Sequence, residues 1–73
     1  MRYKVIYEIK YNEQGEIMDL VNKAEFFTQS KCAEWLGVNQ STVSRAIKSD
    51  YKSDLTSENI IDIGRVSYAI IEC

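Results

Sequence analysis

The chain has 73 residues, a formal net charge of −2 and a hydrophobic content of 45%. This length predicts a single domain, and this hydrophobic content excludes an intrinsically disordered chain. Charged residues interrupt every apolar run, so the sequence predicts neither a membrane-spanning helix nor a secretory signal peptide.

The first segment alternates regularly between two sets of side chains. From Arg2 to Tyr11, aromatic and β-branched residues occupy every second position, which predicts a β-strand. We expect its tyrosine-bearing face to pack on helices or to pair across strands, rather than to stack on nucleic-acid bases. Asn12–Gly15 is a turn signal. Glu16–Lys23 is expected to return as a second strand, and its partial alternation leaves a helix beginning after Asp19 as the alternative.

The stretch Thr28–Lys48 has the spacing of two short helices around a tight turn. Ala33 is small enough to let the second helix come close, and Gly37 can adopt the positive φ that reverses the chain. Thr28 and Asn39 stand at the expected N-cap positions of the two helices. Over its whole length, this stretch resembles the helix-turn-helix of phage Cro-type regulators and bacterial repressors.

The resemblance implies that the second helix, predicted over 40–48, enters the major groove of DNA. Helical periodicity places Val43, Ala46 and Ile47 on a buried stripe and polar side chains on the opposite face. Glutamine can pair with adenine, arginine with guanine, and hydroxyl groups with phosphates or bases. The predicted DNA-binding residues are Gln40, Ser41, Thr42, Ser44, Arg45 and Lys48 on the second helix, with Gln29 and Lys31 of the first helix on the phosphate backbone.

The C-terminal third is predicted to end in β-structure. Residues 49–56 are expected to form a loop, and the pattern over 60–63 does not decide between helix and strand. Gly64-Arg65 indicates a turn before a strand over Val66–Ile71, which would either form a hairpin with 60–63 or pair with the first strand. We therefore predict one α+β domain over 1–73, with an N-terminal strand or hairpin over 1–27, the helix-turn-helix over 28–48 and C-terminal strands over 60–72.

The charges are unevenly distributed along the chain. Residues 28–52 contain four basic and two acidic groups, residues 1–27 four basic and five acidic, and residues 53–73 one basic and four acidic. The predicted helix-turn-helix is therefore the locally positive segment. This small number of cations could neutralise only a few phosphate groups. A monomer is therefore expected to bind DNA weakly. A homodimer formed through a free edge strand would double the contacts.

A second function, a protein–protein contact, is also compatible with this sequence. The acidic balance and the small size resemble those of small phage modulators of repression, also called antirepressors. Such a protein would bind the DNA-binding domain of a repressor and block the operator, its carboxylates meeting the basic surface of the repressor. The carboxylates available for this contact are Glu34, Asp50, Asp54, Glu58 and Asp62. The amides and cations of the second helix favour DNA.

The sequence does not predict an enzyme. It contains no histidine and no glycine-rich phosphate loop, and its serines have no recognisable base nearby in sequence. Asp50, Asp54, Glu58 and Asp62 recur every four residues, and we interpret them as surface acids rather than metal ligands. Two cysteines without a histidine exclude the usual zinc spacings and argue against a disulfide framework, so we expect a reducing, cytoplasmic location and no cofactor.

Overall fold

The computed structural model describes residues 3–49 and 55–73, which form a five-stranded sheet, two α-helices and one short 3₁₀ helix. The strands are β1 Lys4–Tyr11, β2 Ile17–Phe26, β3 Lys48–Ser49, β4 Ile60–Ile63 and β5 Val66–Glu72, and the helices are α1 Gln29–Leu36 and α2 Gln40–Ala46. The 3₁₀ helix Ser57–Asn59 directly precedes β4. The predicted α+β class, with strands on both sides of the helices along the chain, is confirmed. Among the described residues, no helix has the length and apolarity needed to cross a membrane.

The two longest pairings of the sheet are made by β1, which lies between β2 and β5 and is antiparallel to both. On its other side, β5 pairs antiparallel with β4 along Val66–Ala69 and parallel with β3 at Ile71 and Glu72. The C-terminal strand therefore forms a hairpin with 60–63 and also pairs with the first strand. The two arrangements that the sequence offered as alternatives occur together.

The second strand is interrupted by irregularities that weaken its sequence pattern. Its pairing with β1 shifts register twice, so Met18 and Lys23 have no partner in register on β1. Such bulges break the period-two alternation of side chains, which explains why the sequence left a helix after Asp19 open. The strand interpretation is correct, and the helical alternative is wrong. The predicted turn at Asn12–Gly15 is confirmed, with the Asn12 carboxamide oxygen accepting hydrogen bonds from the backbone of Gln14 and Glu16 at 3.0 and 2.9 Å.

One face of the sheet packs against the two helices. Ile6 of β1 and Ile70 of β5 lie opposite each other at the centre of this face and have no exposed surface. The remaining buried residues of this core are Cys32, Ala33, Leu36, Val43, Ala46 and Ile61. Burial raises the pKa of the Cys32 thiol, because the apolar surroundings disfavour the thiolate. Cys32 and Cys73 are both free thiols.

The opposite face of the sheet is also apolar at its centre. Val5, Tyr7 and Ile71 are buried there, and the half-buried Leu20 and Leu55 pack against them. Of the two arrangements expected for the tyrosine-bearing face of β1, packing on the helices does not occur, and packing across strands is found for Tyr7. The reason is that the helices cover the other face of β1, where Ile6 is the apolar residue and lies opposite Ile70.

A buried lysine links the start of β1 to two other parts of the fold. The side chain of Lys4 donates a hydrogen bond to the carbonyl oxygen of Phe27 at 3.0 Å and lies 3.4 Å from a carboxylate oxygen of Glu72. Lys4 is only 8% exposed, so both contacts offset the loss of hydration of its ammonium group. They join the end of β5 and the entry to α1 at one corner of the sheet.

Replacing Ile70 by alanine tests this packing. Ile70 is fully buried between the helices and β1, so Ile70→Ala should lower the free energy of unfolding by about 2–5 kcal/mol. The matched variant Ile17→Ala, at a position that is 40% exposed, should change it by about 0.5 kcal/mol or less. Urea denaturation followed by circular dichroism measures both values. Equal losses in the two variants would contradict the assignment of the core.

Candidate nucleic-acid interface

The first helix begins at the predicted cap. Thr28 has an extended backbone, and its hydroxyl oxygen accepts a hydrogen bond from the backbone N–H of Lys31 at 3.2 Å. This bond satisfies one of the N–H groups that a helix start leaves without a partner. In the first turn that follows, Gln29 is half-buried and Lys31 is exposed. The predicted phosphate-contacting pair therefore lies at the N-terminal end of α1, with the lysine free to reach a ligand.

The chain leaves α1 through a left-handed glycine. Gly37 has φ 74° and ψ 32°, and its N–H donates to the carbonyl of Glu34 at 3.3 Å while the N–H of Val38 donates to that of Ala33 at 3.0 Å. This pair of bonds is the Schellman motif, which closes a helix C-terminus. Val38 is half-buried and packs against the core. The predicted turning role of Gly37 is confirmed.

The second helix begins after Asn39, as predicted, but without a side-chain cap. Asn39 has the extended backbone of an N-cap residue, and its side chain makes no capping hydrogen bond. Val43 and Ala46 are buried against the core, which fixes the rotation of the helix about its axis. The polar residues consequently point away from the sheet: Gln40, Ser41, Ser44 and Arg45 are exposed, and Thr42 is half-buried.

The C-terminal limit of α2 differs from the prediction of a helix over 40–48. The helix ends at Ala46, and Ile47 is already extended, with φ −60° and ψ 135°. Lys48 lies in β3, half-buried and paired in parallel with Ile71. Lys48 therefore does not share the exposed face of α2, because pairing with β5 draws the chain out of the helix. Ile47 still packs against the core from its extended position, as the predicted apolar stripe requires.

The end of α2 is held by Asn59, a residue that was not predicted from the sequence. The side-chain amide of Asn59 donates a hydrogen bond to the carbonyl oxygen of Ala46 at 3.1 Å. Its own oxygen accepts from the backbone N–H and the hydroxyl of Thr56, both at 3.1 Å. Asn59 thus connects the 3₁₀ helix to the last turn of α2. The spacing of Thr56 and Asn59, typical of a capping pair, was the available signal.

An open cleft of about 770 Å³ lies beside α2, between this helix and β4. Its apolar lining consists of Val38, Ala46, Ile60 and Ile61, and its polar lining consists of Thr42, Arg45, Glu58 and Asp62. The guanidinium of Arg45 therefore shares the cleft with two carboxylates. Because the fields of opposite charges partly cancel, this flank of α2 is not a basic surface.

Trp35 lies on α1 and covers part of the core. Its ring meets that of Tyr68 edge to face, with centroids 5.8 Å apart and an interplanar angle of 88°. Tyr68 packs against the helix-side core, and Trp35 remains 43% exposed. This geometry is favourable for aromatic pairs and stabilises the contact between α1 and β5.

The structure thus brings most of the predicted DNA-binding residues onto two helices and separates one of them. Gln40, Ser41, Ser44 and Arg45 share the exposed side of α2, Gln29 and Lys31 stand in the first turn of α1, and Lys48 belongs to the sheet. Asp50, Lys52 and Asp54 lie outside the described residues. Within residues 3–49 and 55–73, no three acidic or cysteine side chains come together as a group that could hold a metal ion.

Comparison with known proteins adds no assignment: no family model, curated protein or solved structure matches the chain.

Substitution of Gly37 tests the turn between the helices. A Cβ atom at this position would meet no atom within 4 Å, so only backbone strain opposes a side chain there. Gly37→Ala should therefore lower the free energy of unfolding by about 1–2 kcal/mol, the cost of the left-handed conformation. Gly37→Asn should cost less, because asparagine tolerates positive φ better than alanine does. Urea titration checks the order, and two variants as stable as the parent protein would refute the strained turn.

Proposed function

We propose that the protein is a small transcriptional regulator that binds double-stranded DNA, with α1 and α2 acting as a helix-turn-helix. The observation that supports this most directly is the division of α2 into two faces. Val43 and Ala46 are buried, whereas Gln40, Ser41, Ser44 and Arg45 are exposed on a helix held by its neighbours. A rigid helix that presents amide, hydroxyl and guanidinium groups has the donors and acceptors that base edges recognise.

In this proposal, α2 enters the major groove. The helix has seven residues, so it is about 10 Å long, which is close to the width of the major groove of B-DNA. Arg45 would donate two hydrogen bonds to a guanine, and Gln40 would pair with an adenine. Gln29 and Lys31 would contact the phosphate backbone from the start of α1. Lys48 is left out of the base-contacting set, because it lies in β3.

The charges predict how such a complex would behave. Lys31 and Arg45 are the exposed cations of the two helices, and Glu34, Glu58 and Asp62 lie on or beside them. A contact with so few positive charges releases few counterions from the DNA, so non-specific affinity should be low. Specific recognition would then depend on base contacts rather than on general attraction to phosphate.

Arg45→Gln tests the proposal. Loss of a bidentate contact to guanine should weaken specific binding by about 1–3 kcal/mol and relax the preference for one base position. Arg45→Lys keeps the charge and loses the planar fork, so it should recover little of the specificity. Fluorescence anisotropy at low salt, with duplex fragments from the DNA that flanks the gene, measures these affinities.

The matched control is Lys10→Gln, which removes an exposed cation from β1, outside both helices and outside the edge strand β2. It should leave DNA affinity unchanged within the error of the titration. Lys31→Gln should weaken binding to all duplexes alike, because a phosphate contact carries no sequence information. Absence of binding to every fragment at low salt would refute the proposed function.

The acidic side chains beside α2 favour a second candidate, the antirepressor function. Glu58 and Asp62 line the cleft next to α2 together with Ile60 and Ile61, which gives this flank a mixed apolar and acidic character. Such a surface is complementary to the basic DNA-binding face of a repressor. Under this alternative, α2 and the cleft would cover the helix with which the repressor contacts its operator.

Size-exclusion chromatography with the cognate repressor distinguishes this candidate from the first. A heteromeric peak, together with loss of the repressor from its operator, would support the antirepressor function. The double substitution Glu58→Gln and Asp62→Asn should then weaken the complex, while the control Glu13→Gln in the β1–β2 turn should not. A repressor that stays on its operator in excess protein would eliminate this candidate.

A further inference from the structure

The outer edge of β2 is the longest stretch of backbone without a strand partner among the described residues. The strand has ten residues and pairs with β1 alone, so its other side offers a row of N–H and C=O groups to a further strand. Its first two residues are apolar and exposed, Ile17 to 40% and Met18 to 67%. Long edges with exposed apolar side chains pair readily with another chain.

When two copies of β2 pair antiparallel, one register places opposite charges next to each other. When a two-fold axis passes through Val21, Asp19 of each copy lies opposite Lys23 of the other. Asp19 is opposite Lys10 in the register of β1, and Lys23 lies 3.4 Å from a Glu8 oxygen, so both charges stand on the helix side of the sheet. The arrangement therefore creates two ion pairs on one face, related by the axis.

Neighbouring registers lack this complementarity. An axis through Asn22 places Asp19 opposite Glu25, which brings like charges together twice. An axis through Leu20 places Lys23 opposite the apolar Ile17 and forms no ion pair. If the axis passed between two residues, each pair would join side chains that project from opposite faces of the sheet. Antiparallel pairing does not permit this.

We propose that two copies of the chain pair through β2 in the register centred on Val21 and form one continuous ten-stranded sheet. An axis perpendicular to the sheet keeps the helices of both copies on the same face. Ile17 and Met18 of each strand then lie within the paired segment, which reduces their exposed apolar surface.

The consequence for DNA rests on the function proposed above. Because α2 contacts β4 and β5, it lies two to three strands from β2. With adjacent strands about 4.8 Å apart, the two copies of α2 would stand roughly 24–34 Å apart across the axis. Successive major grooves on one face of B-DNA are separated by about 34 Å. The upper part of this range matches two half-sites one helical turn apart.

The oligomeric state in the absence of DNA tests the interface directly. Analytical ultracentrifugation of the full chain should give twice the 8.4 kDa mass of the monomer. Asp19→Lys or Lys23→Asp alone turns both ion pairs into repulsions and should weaken dimerisation roughly tenfold or more. The two substitutions combined restore opposite charges and should restore the dimer. Circular dichroism establishes that each variant is folded, and Glu13→Lys in the β1–β2 turn serves as the charge control.

An engineered disulfide between the two copies tests the register independently. In a Cys73→Ser background, Val21→Cys places two thiols next to the axis, and mild oxidation should yield a covalent dimer. Met18→Cys is more exposed but lies three positions from the axis, so the two thiols would be roughly 20 Å apart and should not cross-link. A monomeric parent protein, single charge variants that dimerise like the parent, or preferential cross-linking at residue 18 would overturn the proposal.

The same experiments separate this proposal from the function on which its DNA consequence rests. A dimer that responds to the charge substitutions and binds no DNA leaves the interface standing and removes the proposed function. A protein that protects one half-site as a monomer retains the function and overturns the interface.

Discussion

The pairing of β1 with β5 is the constraint on which the rest of the fold depends. It joins the two ends of the chain over Lys4–Ile9 and Ser67–Glu72, and the backbone N–H of Cys73 extends it by a bond to the carbonyl of Tyr3 at 2.8 Å. Both strands are apolar on both faces at their centres, so each face supports a separate cluster of buried side chains. The helices have eight and seven residues, too short to be stable in water alone, and they depend on one of these faces.

This dependence also determines what α2 can present to a partner. The helix is joined through a single extended residue to β3, which pairs with β5, and the amide of Asn59 donates a hydrogen bond to the carbonyl of its last residue, Ala46. At its other end, the Gly37 turn returns the chain from α1. With both ends held and one face buried, the exposed side chains have a defined direction. A site built on such rigid elements loses little conformational entropy when a ligand binds.

The sequence predicted those features that local chemistry determines. Alternation identified β1, the Asn12–Gly15 signal located a turn, and Thr28 and Gly37 marked the two ends of α1. The predictions were wrong where contacts between distant parts of the chain determine the structure. The helical periodicity of Val43–Ile47 is equally compatible with a longer helix. Pairing of β3 with β5 is what ends α2 at Ala46. Similarly, alternation in β1 identified its tyrosine-bearing face as apolar, but it did not indicate that the helices cover the opposite face through Ile6.

The shortage of positive charge near α2 gives the proposed dimer a physical reason. In the proposed function, one copy would offer Lys31 and Arg45 to the DNA and carries Glu58 and Asp62 beside them, so the phosphate contacts that supply non-specific affinity would be few. Two linked copies bind with an effective concentration set by the rigid sheet, and the second contact then follows the first without a further loss of translational freedom. Because each copy alone would bind poorly, a single half-site or random sequence would hold the protein only briefly. In this proposal, the low charge that weakens DNA binding by one copy would increase the difference in affinity between a paired site and the rest of the DNA.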